Sequence, residues 1–321
     1  RAEHRKLVCG LGSGVDWLGS ECPEFLDNGL ENSFSALPPA LCRRRVVETI
    51  ETTFDMHMTM TYSSSENHSP RSNIIAIGGG KGGVGKSLIS SSLAISMAKL
   101  GRSVTLIDLD LGAANLHTCM GLKIPQFGLT DFLKSRVNNF EEILTSTPLK
   151  NLQFICGFND ALDIADIGHE QVQLLLKNIF NLKSEYIILD LGAGTNDKTL
   201  DFFLSAQKKI ITVVPEPTSI ENAYRFIKSA FYRQMRLSEG NSGLQSLISE
   251  AMDHKNQLGI RSPSDLLRHI QQTDPTASAK FLNEMRSFDL SILVNQVRTY
   301  DDRDLGKSVT SVCRQYFGVD V

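Results

Sequence analysis

Apolar residues in this chain gather in short runs that do not alternate with polar ones. Ile74-Ile75-Ala76-Ile77, Val104-Thr105-Leu106-Ile107, Tyr186-Ile187-Ile188-Leu189, Ile210 to Val214 and Ile292-Leu293-Val294 are the clearest. Runs of this length, rich in β-branched residues, predict strands covered on both faces. With their neighbours they place strands at 73–78, 103–108, 152–156, 185–190, 209–214 and 289–295. Helical spacing predicts helices over 86–100, 129–135, 139–145, 169–181, 197–207, 219–237 and 302–317, with Ser219 placed to cap one of them. Alternation of this kind implies an α/β fold, a mainly parallel sheet with helices on both faces. Between 238 and 287 the chain is about fifty residues longer than a crossover needs. Helices predicted at 244–252, 263–272 and 277–286 make this stretch a helical insertion. Residues 1–72 carry no such periodicity. They are expected to be a poorly structured extension and linker, 1–55 lying upstream of Met56, where the ordered pattern approaches. The 73–321 domain ends in Gly318-Val319-Asp320-Val321.

Three of the strands end in residues with chemistry. After 73–78 comes Gly80-Lys81-Gly82-Gly83-Val84-Gly85-Lys86-Ser87, which satisfies G-x-x-x-x-G-K-[ST] and leads into a helix. Its glycines let backbone N–H groups turn toward phosphate oxygens, and the helix N-terminus adds positive character. Lys86 is placed to reach the β- and γ-phosphates, and Ser87 to ligate Mg²⁺. The second strand ends Asp108-Leu109-Asp110, and alternation puts both carboxylates on one side of the chain. Tyr186 to Asp190 runs into Leu191-Gly192-Ala193-Gly194, a strand ending in a carboxylate that suits a Mg²⁺ ligand.

Lys81 ahead of Gly82-Gly83-Val84-Gly85-Lys86-Ser87 resembles the deviant Walker A motif of the MinD/ParA family, the SIMIBI class of P-loop ATPases. The resemblance implies a doubly wound P-loop NTPase fold that binds ATP and Mg²⁺ and forms an ATP-dependent homodimer. In it Lys81 would cross the dimer interface to the partner's phosphates. The nucleotide stretch would comprise Gly80, Gly82, Gly83, Val84, Gly85, Lys86, Ser87 and Leu88. Asp108-x-Asp110-x-Gly112 with Asn115-Leu116 is similar to switch I. By that match Asp110 would position the attacking water, so that Lys81, Lys86 and Asp110 form the catalytic set. Ser87, Asp108 and Asp190 would serve the metal. Pro215 and Pro217 would pack against the adenine, and Asn295 would hydrogen-bond its edge. Gly112 to Leu116 and Pro215 to Ser219 sit nearest the MinD/FlhG branch. Members of the family continue into another strand and helices, so the resemblance implies that Gly318 onward starts that strand and that the C-terminus is truncated. A Gln- and Leu-rich activation motif expected of FlhG proteins is missing from 56–72. The implied function is an ATP-hydrolysing switch for spatial positioning or partitioning in bacteria, with an activating or cargo protein as partner. It would be cytoplasmic, and in the ATP state peripheral to a membrane or to nucleoid DNA. The alternative is an ATP-dependent, non-specific DNA-binding module that would use Arg225, Lys228, Arg233 and Arg236 on helix 219–237.

Composition narrows these options. The chain has 321 residues, 41% hydrophobic and 21% charged, ordinary for a globular protein. A net charge of −3 argues against a surface that coats nucleic acid. The six cysteines include no C-x-x-C pair, which speaks for a reducing compartment and against an iron–sulfur scaffold. Cys119, near switch I, is expected to be a small buried residue. Tyr300 and Tyr316 stand alone, which disfavours a tyrosine kinase on the same scaffold.

Overall fold

β1 (Asn73–Gly78) lies inside a seven-stranded sheet with β2 (Val104–Leu109), β3 (Leu144–Ser146), β4 (Leu152–Ile155), β5 (Tyr186–Leu191), β6 (Lys208–Val213) and β7 (Leu290–Val294). The computed structural model describes residues 72–317 except 111–114, 158–166, 239–241, 253–259, 261, 277, 280, 281 and 283–287. The strand order is β3-β4-β2-β5-β1-β6-β7, parallel throughout except that β3 runs antiparallel to β4. The helices are α1 (Lys86–Lys99), α2 (Leu116–Cys119), α3 (Leu129–Leu133), α4 (His169–Phe180), α5 (Asp197–Ser205), α6 (Pro217–Ser238), α7 (Ser242–Met252), α8 (Pro263–Thr273) and α9 (Tyr300–Phe317).

Unbroken apolar strands follow from two covered faces. Ile75 and Ile77 join Leu93, Ala94 and Met97 of α1 in one cluster. Ile74 and Ala76 join Phe203 of α5 and Phe226 of α6 in the other. Every residue of β2 and β5 is buried. The sheet therefore brings its C-terminal ends to one rim, where ligands bind in doubly wound folds. The loop after β1, Asp110 after β2, Gly192 after β5, Pro215 after β6 and Asn295 after β7 all lie on that rim.

Most predicted elements recur with ends moved by a residue or two; one element differs in kind, and two expectations about single residues do not hold. The helix expected over 139–145 is a single 3₁₀ turn at Phe140–Ile143 followed by edge strand β3. Glu142 accepts from the N–H groups of Asn138 and Asn139, which caps one turn, and Leu144 then adopts extended backbone (φ −73°, ψ 114°). Second, α6 begins at Pro217, so Ser219 lies inside its first turn, and its hydroxyl accepts from Val214 N at 3.1 Å. Third, Cys119 is exposed. Short α2 was not anticipated.

The insertion packs as part of the main body. Ile248 and Ala251 of α7, Ile260, and Leu266 and Ile270 of α8 join the same apolar cluster as Phe226, Ala230 and Phe231 of α6. Ser262 caps α8, with Asp265 returning a bond to Ser262 N at 3.0 Å. The helix expected at 277–286, the extension before residue 72 and the strand start at 318–321 fall wholly or mainly outside the described residues.

Candidate nucleotide-binding site

Gly83 and Gly85 have φ of +76° and +94°, the left-handed region where a side chain is strained. A Cβ on Gly82 or Gly83 would meet nothing within 4 Å, so the tip of the loop faces open space. Gly80 is different: a Cβ there would collide with the backbone of Asn222 on α6. No side chain caps α1, because its N-cap is Gly85. Its first N–H groups are thus left for an anion. This cradle, the open tip and the free helix end fit a chain of phosphates.

Lys86 is buried at 7% exposure and donates to Lys81 O at 3.4 Å. Burial lowers its pKa, while Asp190 and Asp110 oppose that shift. It is a desolvated cation within electrostatic reach of two carboxylates.

Asp108 and Asp190 are register partners on adjacent strands, at 0% and 1% exposure. Burial raises Asp108 to about 7 and Asp190 to about 6. Asp108 accepts from Asp110 N and Leu116 N, each at 3.1 Å. It so grips both ends of the segment 110–116. Asp190 accepts from the hydroxyls of Ser87 and Ser90. Among the described residues, no three His, Cys, Asp or Glu side chains are arranged to hold a metal by themselves. Two buried carboxylates and one serine hydroxyl fit a hard divalent cation that takes its remaining ligands from phosphate and water. Ser87 and Asp190 would hold it, with Asp108 nearby.

These shifts have a pH consequence with a definite sign. A carboxyl raised from its ordinary 3.8 binds protons more tightly in the folded chain than in the unfolded one. Its stabilising effect is complete below about pH 4 and is lost as pH rises through about 6 to 7. Without cation, the stability of Asp108→Asn relative to wild type is therefore expected to rise between pH 4 and pH 8, by an amount on the order of a few kcal/mol. Thermal midpoints of both proteins in chelator across that range check it. A difference that is independent of pH counts against it.

Asp110 meets the loop after β5. A Cβ on Gly192 would lie 2.8 Å from Asp110 Oδ1 and 3.4 Å from its Cα. Gly192→Ala is expected to push Asp110 aside, cutting ATP turnover roughly tenfold to hundredfold with nucleotide affinity nearly unchanged. Steady-state turnover beside equilibrium binding separates the two effects.

Lys81 stands at the loop's entrance, its side chain 38% exposed. Its Nζ lies 2.7 Å from Glu216 Oε2 and 3.2 Å from Thr218 Oγ1. Sequence reading missed this contact, which joins positions 135 residues apart. Asn295 is 2% exposed. Its Nδ2 donates to Val84 O at 2.9 Å, and its Oδ1 accepts from Gln296 N at 2.9 Å. The amide thus braces the floor of the loop, with one N–H beyond these bonds. Leu88 is half-buried in the first turn of α1, Pro215 is half-buried on the rim, and Pro217 is exposed at the start of α6.

The basic residues of α6 are largely occupied. Arg233 makes two bonds to Asp201 at 2.8 and 2.9 Å and pairs with Asp197 at 2.7 Å. Arg225 pairs with Glu221, Arg236 donates to Ser249, and Lys228 lies over the ring of Tyr232. No helix among the described residues is long and apolar enough to cross a membrane.

A glycine cradle on a strand-to-helix turn, a buried lysine and acidic strand ends beside it define a P-loop nucleotide-binding fold. The model of the ParA family, described as NUBPL iron-transfer P-loop NTPase, matches residues 71–238. The antiactivator FleN of Pseudomonas aeruginosa is 34% identical over 157 residues, 48% of this chain and 55% of FleN. An uncharacterised ATP-binding protein of Methanocaldococcus jannaschii is 30% identical over 193 residues, 60% of this chain and 70% of that protein. A solved structure of MinD from Pyrococcus horikoshii, complexed with Mg-ADP, is 25% identical, with a TM-score of 0.44 over 48% of this chain and 63% of that one. The chain belongs to the MinD/ParA family of P-loop NTPases. The match spans little more than half the length of FleN.

Proposed function

We propose that this chain binds Mg-ATP, dimerises through it and hydrolyses it, acting as a switch in spatial positioning or partitioning. The observation that carries this reading is Lys81, an exposed cation at the mouth of an open phosphate cradle. Its ammonium group pairs with an exposed carboxylate and a hydroxyl. It can leave both for the phosphates of a facing subunit. Two triphosphates brought face to face need added positive charge, and each subunit would supply it to the other.

In the reaction, Lys86 would hold the β- and γ-phosphates, and the N–H groups of the loop and first turn of α1 would orient them. Asp110 would align the water that attacks the γ-phosphorus. Bound Mg²⁺ would neutralise charge developing on the transferred group. Exposed Lys81 and the open tip also leave room for a second protein to dock as activator or cargo.

Solution mass by light scattering tests the switch on the whole chain, with Mg-ATP and with Mg-ADP. A dimer with Mg-ATP alone, lasting longer in Asp110→Ala, is the expected result. A monomer in both nucleotides, with nucleotide demonstrably bound, overturns it.

The DNA-binding alternative has less support, because Arg233 and Arg236 are engaged within the fold. A gel shift that requires ATP and fades with salt would restore it.

A further inference from the structure

Ser90 has no place in the loop motif, yet it reaches the same carboxylate. It lies one turn beyond Ser87 on α1, at 0% exposure. Its Oγ is 2.7 Å from Asp190 Oδ1 and 3.0 Å from Lys86 O. A hydroxyl has one proton to donate. The shorter contact is to a carboxylate, and hydrogen bonds to charged acceptors are about twice as strong as neutral ones. The proton therefore belongs to Asp190, and the approach to Lys86 O is secondary. The adjacent Ser91 gives an internal comparison. It is equally buried, and among the described residues its Oγ reaches backbone carbonyls, Ser87 O at 2.7 Å and Leu88 O at 3.1 Å.

We infer that Ser90 is a positioning residue for the cation site, holding one oxygen of Asp190 so that the carboxylate keeps a single orientation beside Ser87. Two serines of one helix then restrain one carboxylate. Ser87 sits at the phosphate end, and Ser90 fixes the group from the protein side. Partners of this kind orient metal ligands, and their removal commonly weakens metal binding 10- to 100-fold.

The inference rests on the Mg-nucleotide reading above, and the test separates the two. Binding of a fluorescent ATP analogue is titrated with Mg²⁺ in wild type, Ser90→Ala, Ser91→Ala and Ser90→Thr, with thermal midpoints alongside. Ser90→Ala is expected to need about tenfold more Mg²⁺ for half-maximal binding, with analogue affinity in chelator unchanged. Ser91→Ala is expected to keep the wild-type Mg²⁺ requirement, and Ser90→Thr, which retains the hydroxyl, to return toward it. Loss of a buried hydroxyl as such would move midpoints in both alanine variants and the Mg²⁺ requirement in neither. Equal requirements in Ser90→Ala and Ser91→Ala, or a Ser90→Thr protein as impaired as Ser90→Ala, overturn the inference. A wild type whose analogue binding ignores Mg²⁺ overturns the parent reading instead.

Discussion

Lys86→Met is expected to leave the nucleotide-free protein as stable as wild type or more so, and to abolish its response to ATP. Lys86 is desolvated, and burial lowers its pKa despite Asp190 and Asp110. A lysine whose folded pKa is depressed opposes folding at neutral pH, since the unfolded chain binds the proton more tightly. Methionine keeps the length and removes the charge. On the proposed reading, however, nucleotide loses its main cationic contact. In wild type, ATP at one hundred times its Kd should stabilise the fold by about 2.7 kcal/mol. That increment should vanish in the variant, and turnover should fall by roughly 10²- to 10³-fold, as when a preorganised donor is removed. Melting curves with and without Mg-ATP read both effects. An ATP-induced rise that survives in Lys86→Met would remove Lys86 from the phosphate site.

The second large effect concerns association. Lys81→Ala should eliminate the ATP-dependent dimer while monomers still bind nucleotide. Glu216→Gln should do the reverse and let the dimer form at lower protein concentration. Both side chains of the pair are open to water, at 38% and 57% exposure. Exposed ion pairs contribute about 0–1 kcal/mol, so the gain should be fivefold at most. The cis contact is weak enough for a facing triphosphate to displace, yet it keeps Lys81 near the rim. Rising salt should narrow the difference between Glu216→Gln and wild type, because screening loosens the pair in the latter. Mass measured against concentration for the three proteins decides the matter. A Glu216→Gln protein that fails to dimerise would mean that Glu216 supports the interface instead of restraining Lys81.

The phosphate cradle was legible in the chain because all its parts are local. A strand, a glycine-rich loop, Lys86, Ser87 and a helix follow one another within Asn73 to Lys99. The acidic strand ends were legible for the same reason, since burial and alternation are read within six residues. Edge strand β3 was not. Phe140, Ile143 and Leu144 have helical spacing, and only the cap at Asn139 and Glu142 limits them to one turn. Pro217 decided where α6 begins, a position where proline's fixed φ suits a first helical residue, and Ser219 competed for that role on paper. Contacts that cross the sheet rim left no local trace. Lys81 with Glu216, Ser90 with Asp190, and Gly192 with Asp110 each depend on how separate strands align.

The brace under the loop also sets a schedule. Val84 and Asn295 are separated by 211 residues. At about 5–20 residues per second, the ribosome would deliver the brace roughly 10–40 s after the loop it supports. Until β7 emerges and pairs with β6, the nascent chain has its phosphate-binding residues in hand but no floor beneath them. Newly made protein would thus complete the support of this loop only when the far edge of its sheet is in place.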